Sequence, residues 1–325
     1  MKINNIKWIV VFFTLCIVFT ACNKDDSIFQ EQAVDNTNEN QENNESSDEG
    51  EITLYRIKGE NLEKIKDFKV TGKDLQFQKD TQKHQEIWAL VKKIIPLSHR
   101  NRINELVLYN GEKGESAGFV FETSKDLSTW RIGIAIDYAY EGGFNANGEL
   151  AYTIIHEFGH VLTLDKTQVN SNISKNDCTH FFTGEGCAKE ESFINQLFSR
   201  FWKDIWSEFE QAGDNETKRE AFYNKYKTRF VTNYAASNPG EDIAEVFAIF
   251  VTEKDTPTGN SIVEQKTKLM YDSQELVSLR NYIRGSISSS SKNSGSKNKL
   301  SFLPEPGSWK QASTFGKSDK LHCSH

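Results

Sequence analysis

The chain has no apolar stretch of the roughly twenty residues needed to span a bilayer as a helix. Its longest such run, Trp8 to Phe19, is about a dozen residues. A basic stripe with interleaved aromatics is also missing and the formal net charge is -7, which argues against nucleic acid as a partner. No internal repeat is present. Histidine and cysteine are both scarce, seven and five in 325 residues, so a pattern built from either is informative.

What is present begins with a targeting signal. Lys2 and Lys7 precede the apolar run and Thr20-Ala21 form a small-residue step before Cys22, so 1–21 is expected to be a signal peptide that is removed. Phe19-Thr20-Ala21-Cys22 resembles the lipobox of bacterial lipoproteins, with Phe19 where leucine is usual. The resemblance implies a lipid on Cys22 and an extracytoplasmic chain anchored to a bacterial membrane only through that lipid. Asn23-Lys24-Asp25-Asp26 looks like the acidic export tag of some outer-membrane lipoproteins, which would put the chain at the cell surface. The competing reading makes Cys16 and Cys22 incidental residues of an uncleaved or non-lipidated signal. Residues 22–51, rich in Asn, Glu, Gln, Asp and Ser, lack the apolar surface to offset their ordering entropy and read as a solvated tether.

Globular density returns at 52–148, read as an α/β part, and continues through 149–285, read as helical; 286–325 reads as a Ser/Lys-rich linker and tail carrying Phe302, Trp309 and Phe315. Strands are expected at 52–57, 67–70, around Val107, around Val120 and from Trp130 to Ile136, with a helix over 82–95 ended by Pro96. In the last strand Trp130, Ile132, Ile134 and Ile136 share one face, which leaves Arg131, Gly133 and Ala135 on a face expected to stay accessible. Helices are expected at 149–163, 189–210, 216–229, 240–253 and 262–284. The class is therefore α+β: a small twisted sheet with helices, then a mostly helical lobe. Cys178 and Cys187 flank a short loop and are expected to form a disulfide in an oxidising compartment; a small metal site with His180 is the alternative. Cys323 is left over.

The chemistry resides in His156-Glu157-Phe158-Gly159-His160. Residues four apart on a helix project side by side, so His156 and His160 bring two imidazole nitrogens to one zinc ion. Glu157 flanks that metal, where a carboxylate acts as general base toward an attacking water and later protonates the leaving amine. Gly159 costs a helix interior on the order of 1 kcal/mol relative to alanine, which points to a close approach by the sheet or another helix.

A third ligand is needed. Thr163 and Lys166 stand where the metzincin pattern requires Gly and His, so that pattern is excluded. Glu241 and Glu245, one turn apart if Pro239 onward is helical, supply a ligand and an acceptor for the outer N–H of a ligand histidine. Two readings compete for Glu241. With Asn238 as N-cap and Pro239 first in the helix, it is also the third-position glutamate of a capping box; the apolar residues around it favour a ligand, because two buried glutamates want a cation. Glu190-Glu191 is the fallback pair, with the acidic first turn of the next helix as its other reading.

His156-Glu157-Phe158-Gly159-His160, a distant Tyr234 and the Glu241-x-x-Ala244-Glu245 helix together resemble the anthrax lethal factor type of metallopeptidase domain, and the zinc metallopeptidase lipoproteins of bacteria, over about 95 residues. The resemblance implies a zincin-like, gluzincin-type fold in which His156, His160 and Glu241 bind zinc, Glu157 is the base, Glu245 holds a ligand histidine and Tyr234 hydrogen-bonds the oxyanion. Without it, Tyr234 reads as a core aromatic. The implied function is zinc-dependent hydrolysis of protein or peptide substrates, as an endopeptidase rather than an exopeptidase, with the peptide bound along an edge strand from Trp130 to Ile136. The alternative is a zinc-binding lipoprotein without turnover that assists binding or uptake.

Overall fold

The computed structural model describes residues 50–288 apart from 145 and 147. Cys22, Cys323, Phe302, Trp309, Phe315, the signal, nearly all of the tether and most of the C-terminal tail lie outside the described residues. Five strands, β1 (Glu51–Lys58), β2 (Asn61–Asp67), β3 (Ile103–Tyr109), β4 (Gly118–Glu122) and β5 (Trp130–Ala135), form one mixed sheet in the order β2-β1-β3-β5-β4. Only β3 and β5 run parallel. The second strand lies earlier than the sequence suggests, at 61–67 rather than 67–70. It is an exposed, lysine-bearing edge with no apolar face to give it away, while Phe68 beyond it turns into the core.

Two further expectations are corrected. β5 is an interior strand, bonded to β3 on one side and β4 on the other, so the edge beside the motif helix is β4. Nor is its second face open. Leu54, Phe68, Val107, Tyr109, Phe119 and Ala135 form a second small core there, and the Phe119 ring covers Gly133. Small residues on β5 make room for an aromatic ring rather than for a ligand.

The other face of the sheet carries the main core with α1 (Gly72–Lys79), α2 (Thr81–Ile94) and α3 (Glu149–Leu164). Every residue of α3 from Leu150 to Leu164 is buried, as expected of a helix enclosed on all sides. Beyond it come α4 (Phe193–Phe201), α5 (Trp206–Ala212), α6 (Glu216–Tyr226), α7 (Pro239–Thr252), α8 (Ile262–Tyr271) and α9 (Gln274–Ser288). The expected helix over 189–210 is two. Arg229 bonds the Phe201 carbonyl and Asp204 across the break, and Trp202 turns inward. The one over 262–284 is also two, because the Ser273 hydroxyl takes the Leu276 N–H and starts α9 afresh; α9 then runs to Ser288, into the stretch read as linker. Among the described residues no helix is long and apolar enough to cross a membrane.

Where α3 crosses α7, a Cβ on Gly159 would stand 3.1 Å from the Phe247 ring and 3.2 Å from the Ala244 Cα. Glycine sets that spacing. The closeness brings the two helices that carry the site residues face to face, with His156 and His160 on one and Glu241 and Glu245 on the other.

Candidate metal centre

Asn238 caps α7 by accepting the Glu241 N–H at 2.9 Å, with Pro239 at the first helical position. The Glu241 carboxylate does not reach back to complete a box; its Oε2 stands 3.1 Å from His156 Nε2 and 3.3 Å from His160 Nε2. The backbone cap and the side chain's position in the site coexist. The two imidazole Nε2 atoms are themselves 3.1 Å apart. A tetrahedral ion with bonds of about 2.1 Å holds its ligands roughly 3.4 Å from one another, so the three donors form one face of such a site. His156, His160 and Glu241 are buried and are the one group among the described residues arranged to hold a metal ion.

The tautomer follows from the other side of the ring. His156 Nδ1 donates to Glu245 Oε1 at 2.7 Å, so that when the ring is neutral its Nε2 lone pair faces the other donors. Glu245 is fixed in turn by the Thr232 hydroxyl at 2.7 Å and the Tyr152 hydroxyl at 3.5 Å. Burial pulls the His156 ring down, but the carboxylates of Glu241 and Glu245 outweigh it and hold the imidazolium well above the ordinary histidine range. Burial also works against a charged Glu241, yet the two imidazoles keep it well below the usual carboxylate range.

That coupling yields a prediction for the chelated chain. Its raised His156 adds stability that is complete below the unfolded value of about 6.5 and is lost as pH rises through the folded value. A bound cation requires the ring deprotonated and reverses the dependence. Thermal melts from about pH 6 to 9 should therefore fall for chelated protein and hold or rise with metal added; parallel curves would refute the coupling.

Glu157 lies under the edge strand. A Cβ on Gly118 of β4 would stand 3.1 Å from the Glu157 Cγ and 3.2 Å from its Oε1, so the strand passes directly over the carboxylate. Its Oε2 is buried with no hydrogen-bond partner, and burial raises its pKa above the ordinary range. No protein-family model, curated protein or solved structure matches this chain. What the site can do must be read from its own atoms.

The remaining expectations divide. Tyr234, in a short turn (Tyr234–Ala236), sets its half-buried ring beside His156, centroids 5.8 Å apart. Glu190 and Glu191 are exposed and lie outside the metal group, so the fallback pair is set aside. Cys178 and Cys187 are bonded to each other, which removes them as ligands beside His180. Asp242, between the two site glutamates, faces away and accepts from Trp202 Nε1 at 2.7 Å and from buried Lys266. Thr232, Tyr152 and Gly118 were not singled out by sequence. Of these Tyr152, one turn before His156 on the same face of α3, was the one within reach of helical spacing.

Beside His160 and Glu241 opens a cavity of about 470 Å³, walled by α4, α5 and the disulfide-closed loop. Its lining mixes polar and charged residues with an aromatic cluster of Phe181, Phe182, Phe198, Trp206 and Phe209. A pocket of this size and character adjoining a metal-ligand set suits a side chain of a bound molecule.

Proposed function

We propose that this chain is a zinc-dependent peptidase of the zincin type, in which His156, His160 and Glu241 hold the metal and Glu157 is the general base. One observation carries the reading: three donors form one face of a tetrahedron, beside a buried carboxylate with an unpartnered oxygen. Two imidazoles and a carboxylate are a donor set that catalytic zinc uses, with the fourth position open. Zinc bound there would act as a Lewis acid and make water a nucleophile near neutral pH.

The chain's own residues do the rest. Glu157 accepts the proton of the attacking water and passes it to the leaving amine, a task suited to a carboxylate whose pKa burial raises above the ordinary range. Glu245, held by Thr232 and Tyr152, keeps His156 in the tautomer that offers Nε2. Tyr234 donates to the tetrahedral oxygen as charge develops on it. An extended protein or peptide substrate pairs along β4, which among the described residues is bonded only to β5, and its backbone thereby passes over Gly118 and Glu157. The Tyr234 role is the one that the resemblance to lethal-factor-type peptidase domains implies, and lipidation at Cys22 would place the activity outside the cytoplasm on a bacterial membrane.

Incubating the full chain with a mixed peptide library should give internal cleavage that stops with a chelator and returns on adding zinc. Bound zinc with no cleavage of any peptide would instead favour a zinc-binding protein without turnover.

A further inference from the structure

The segment joining Cys178 to Cys187 has no part in the metal chemistry, yet it forms a wall of the cavity at His160. It is a fixed element. Beyond the disulfide, Thr183 N–H bonds the Gly186 carbonyl at 2.9 Å, Ala188 N–H bonds Phe181 at 2.8 Å, and Phe182 pairs with Cys187. At the tip of this turn stands Glu185, with one carboxylate oxygen, Oε2, buried and without a partner.

A buried carboxylate oxygen with nothing to accept from is costly, and a cation is what relieves it. Burial pushes the Glu185 carboxyl up, against the Thr183 hydroxyl that bonds it, and the charge of Glu122 at the end of β4 pushes it further. The His160 ring acts on the same carboxylate. Glu185 lines the same cavity as His160 and Glu241, although it lies outside the three-residue metal group. Of the other charged groups on the lining, Glu241 belongs to the metal group. Lys175 and Glu210 are exposed at the rim, and Arg219 donates to the Gly213 and Ser237 carbonyls while stacking 4.2 Å over Phe209.

We propose that Glu185 is a specificity-determining residue that holds a cationic group of the substrate, an alkylammonium or guanidinium, in the cavity beside the metal ligands. The aromatic wall of Phe181, Phe198 and Trp206 suits the same occupant, since it covers an aliphatic stem and attracts a cation through its ring faces. The cation comes from a Lys or Arg side chain next to the bond that is cut, or from the substrate's free N-terminus. This rests on the peptidase reading, and it deepens it.

The test uses zinc-loaded full chain and matched peptides that carry lysine or norleucine at each position in turn, with the N-terminus free or acetylated. Cleavage is followed on the wild type, and equilibrium binding on Glu157→Gln, so that binding is scored whether or not any peptide is cut. The cationic peptide should be preferred at least about thirtyfold. Glu185→Gln should remove that preference without changing the zinc content, and Glu185→Asp should restore part of it. A preference tied to lysine identifies a side-chain source, and one abolished by acetylation identifies the N-terminus. Equal treatment of the cationic and neutral peptides, a preference that survives Glu185→Gln, or binding of neither would overturn the proposal. Absence of cleavage with the binding preference intact would overturn only the hydrolytic reading.

Discussion

Glu157→Gln should lower peptide hydrolysis by about 10²- to 10⁴-fold, the usual contribution of a positioned general base, while the chain binds as much metal as before. The substitution keeps the shape of the side chain, which matters because β4 passes over it at Gly118. What it removes is the ability to take a proton. Stability should move the other way: burial already makes the ionised carboxylate costly in the fold, so a neutral amide should melt at the same temperature or higher. Steady-state hydrolysis, metal analysis and a thermal melt on the same preparation check all three. A loss of activity matched by an equal loss of metal would mean that Glu157 supports the site's structure and not its proton transfers.

Lys266→Met carries the second large effect, on stability. Lys266 is fully buried on α8; it pairs with Asp242 and donates to the Arg229 carbonyl at 2.7 Å. Asp242 keeps only the Trp202 N–H when the ammonium is gone, and its Oδ1 already lacks a partner. Breaking a buried pair by removing one member costs about 3–5 kcal/mol, which for a folded part of this size lowers the melting temperature by roughly 6–20 °C. Pairing the change with Asp242→Leu should recover most of the loss, since no unpaired charge then remains. Denaturant titrations of both variants measure this, and a single variant as stable as the wild type would show that the pair adds nothing.

Much of the site was legible because its residues lie on helices, where spacing fixes direction. His156 and His160 four apart, and Glu241 and Glu245 four apart, each imply a shared face without any knowledge of the fold. What one helix cannot reveal is which element it meets, so Thr232, from a turn nine residues before Glu241, and Gly118, from a strand, left no local signal. Glu241 shows the limit in a single residue: a capping box and a metal site both call on its carboxylate, and only the packing of α7 on α3 turns that carboxylate toward His156 and His160 while the backbone N–H goes to Asn238. In the sheet, the alternation of Trp130, Ile132 and Ile134 correctly marked a core face. Strand order is a tertiary property, however, and β5 has an interior place because β3 and β4 both pair with it. The opposite face of β5 looked open because Gly133 and Ala135 are small, whereas the ring that covers them comes from β4. The helix breaks at 202–205 and 272–273 depended on Arg229, far along the chain, and on a serine hydroxyl.

The proposed activity depends on one metal bound by His156, His160 and Glu241. Zinc titration of the chelated full chain against a chromogenic competitor, with Glu241→Ala alongside, tests it most directly. Loss of an outer hydrogen-bond partner weakens metal sites by about 10- to 100-fold, and loss of a ligand should cost more. The expected result is one tightly bound zinc per wild-type chain and more than about 100-fold weaker binding by Glu241→Ala. No zinc taken up by the wild type, or equal affinity in the two proteins, would contradict it.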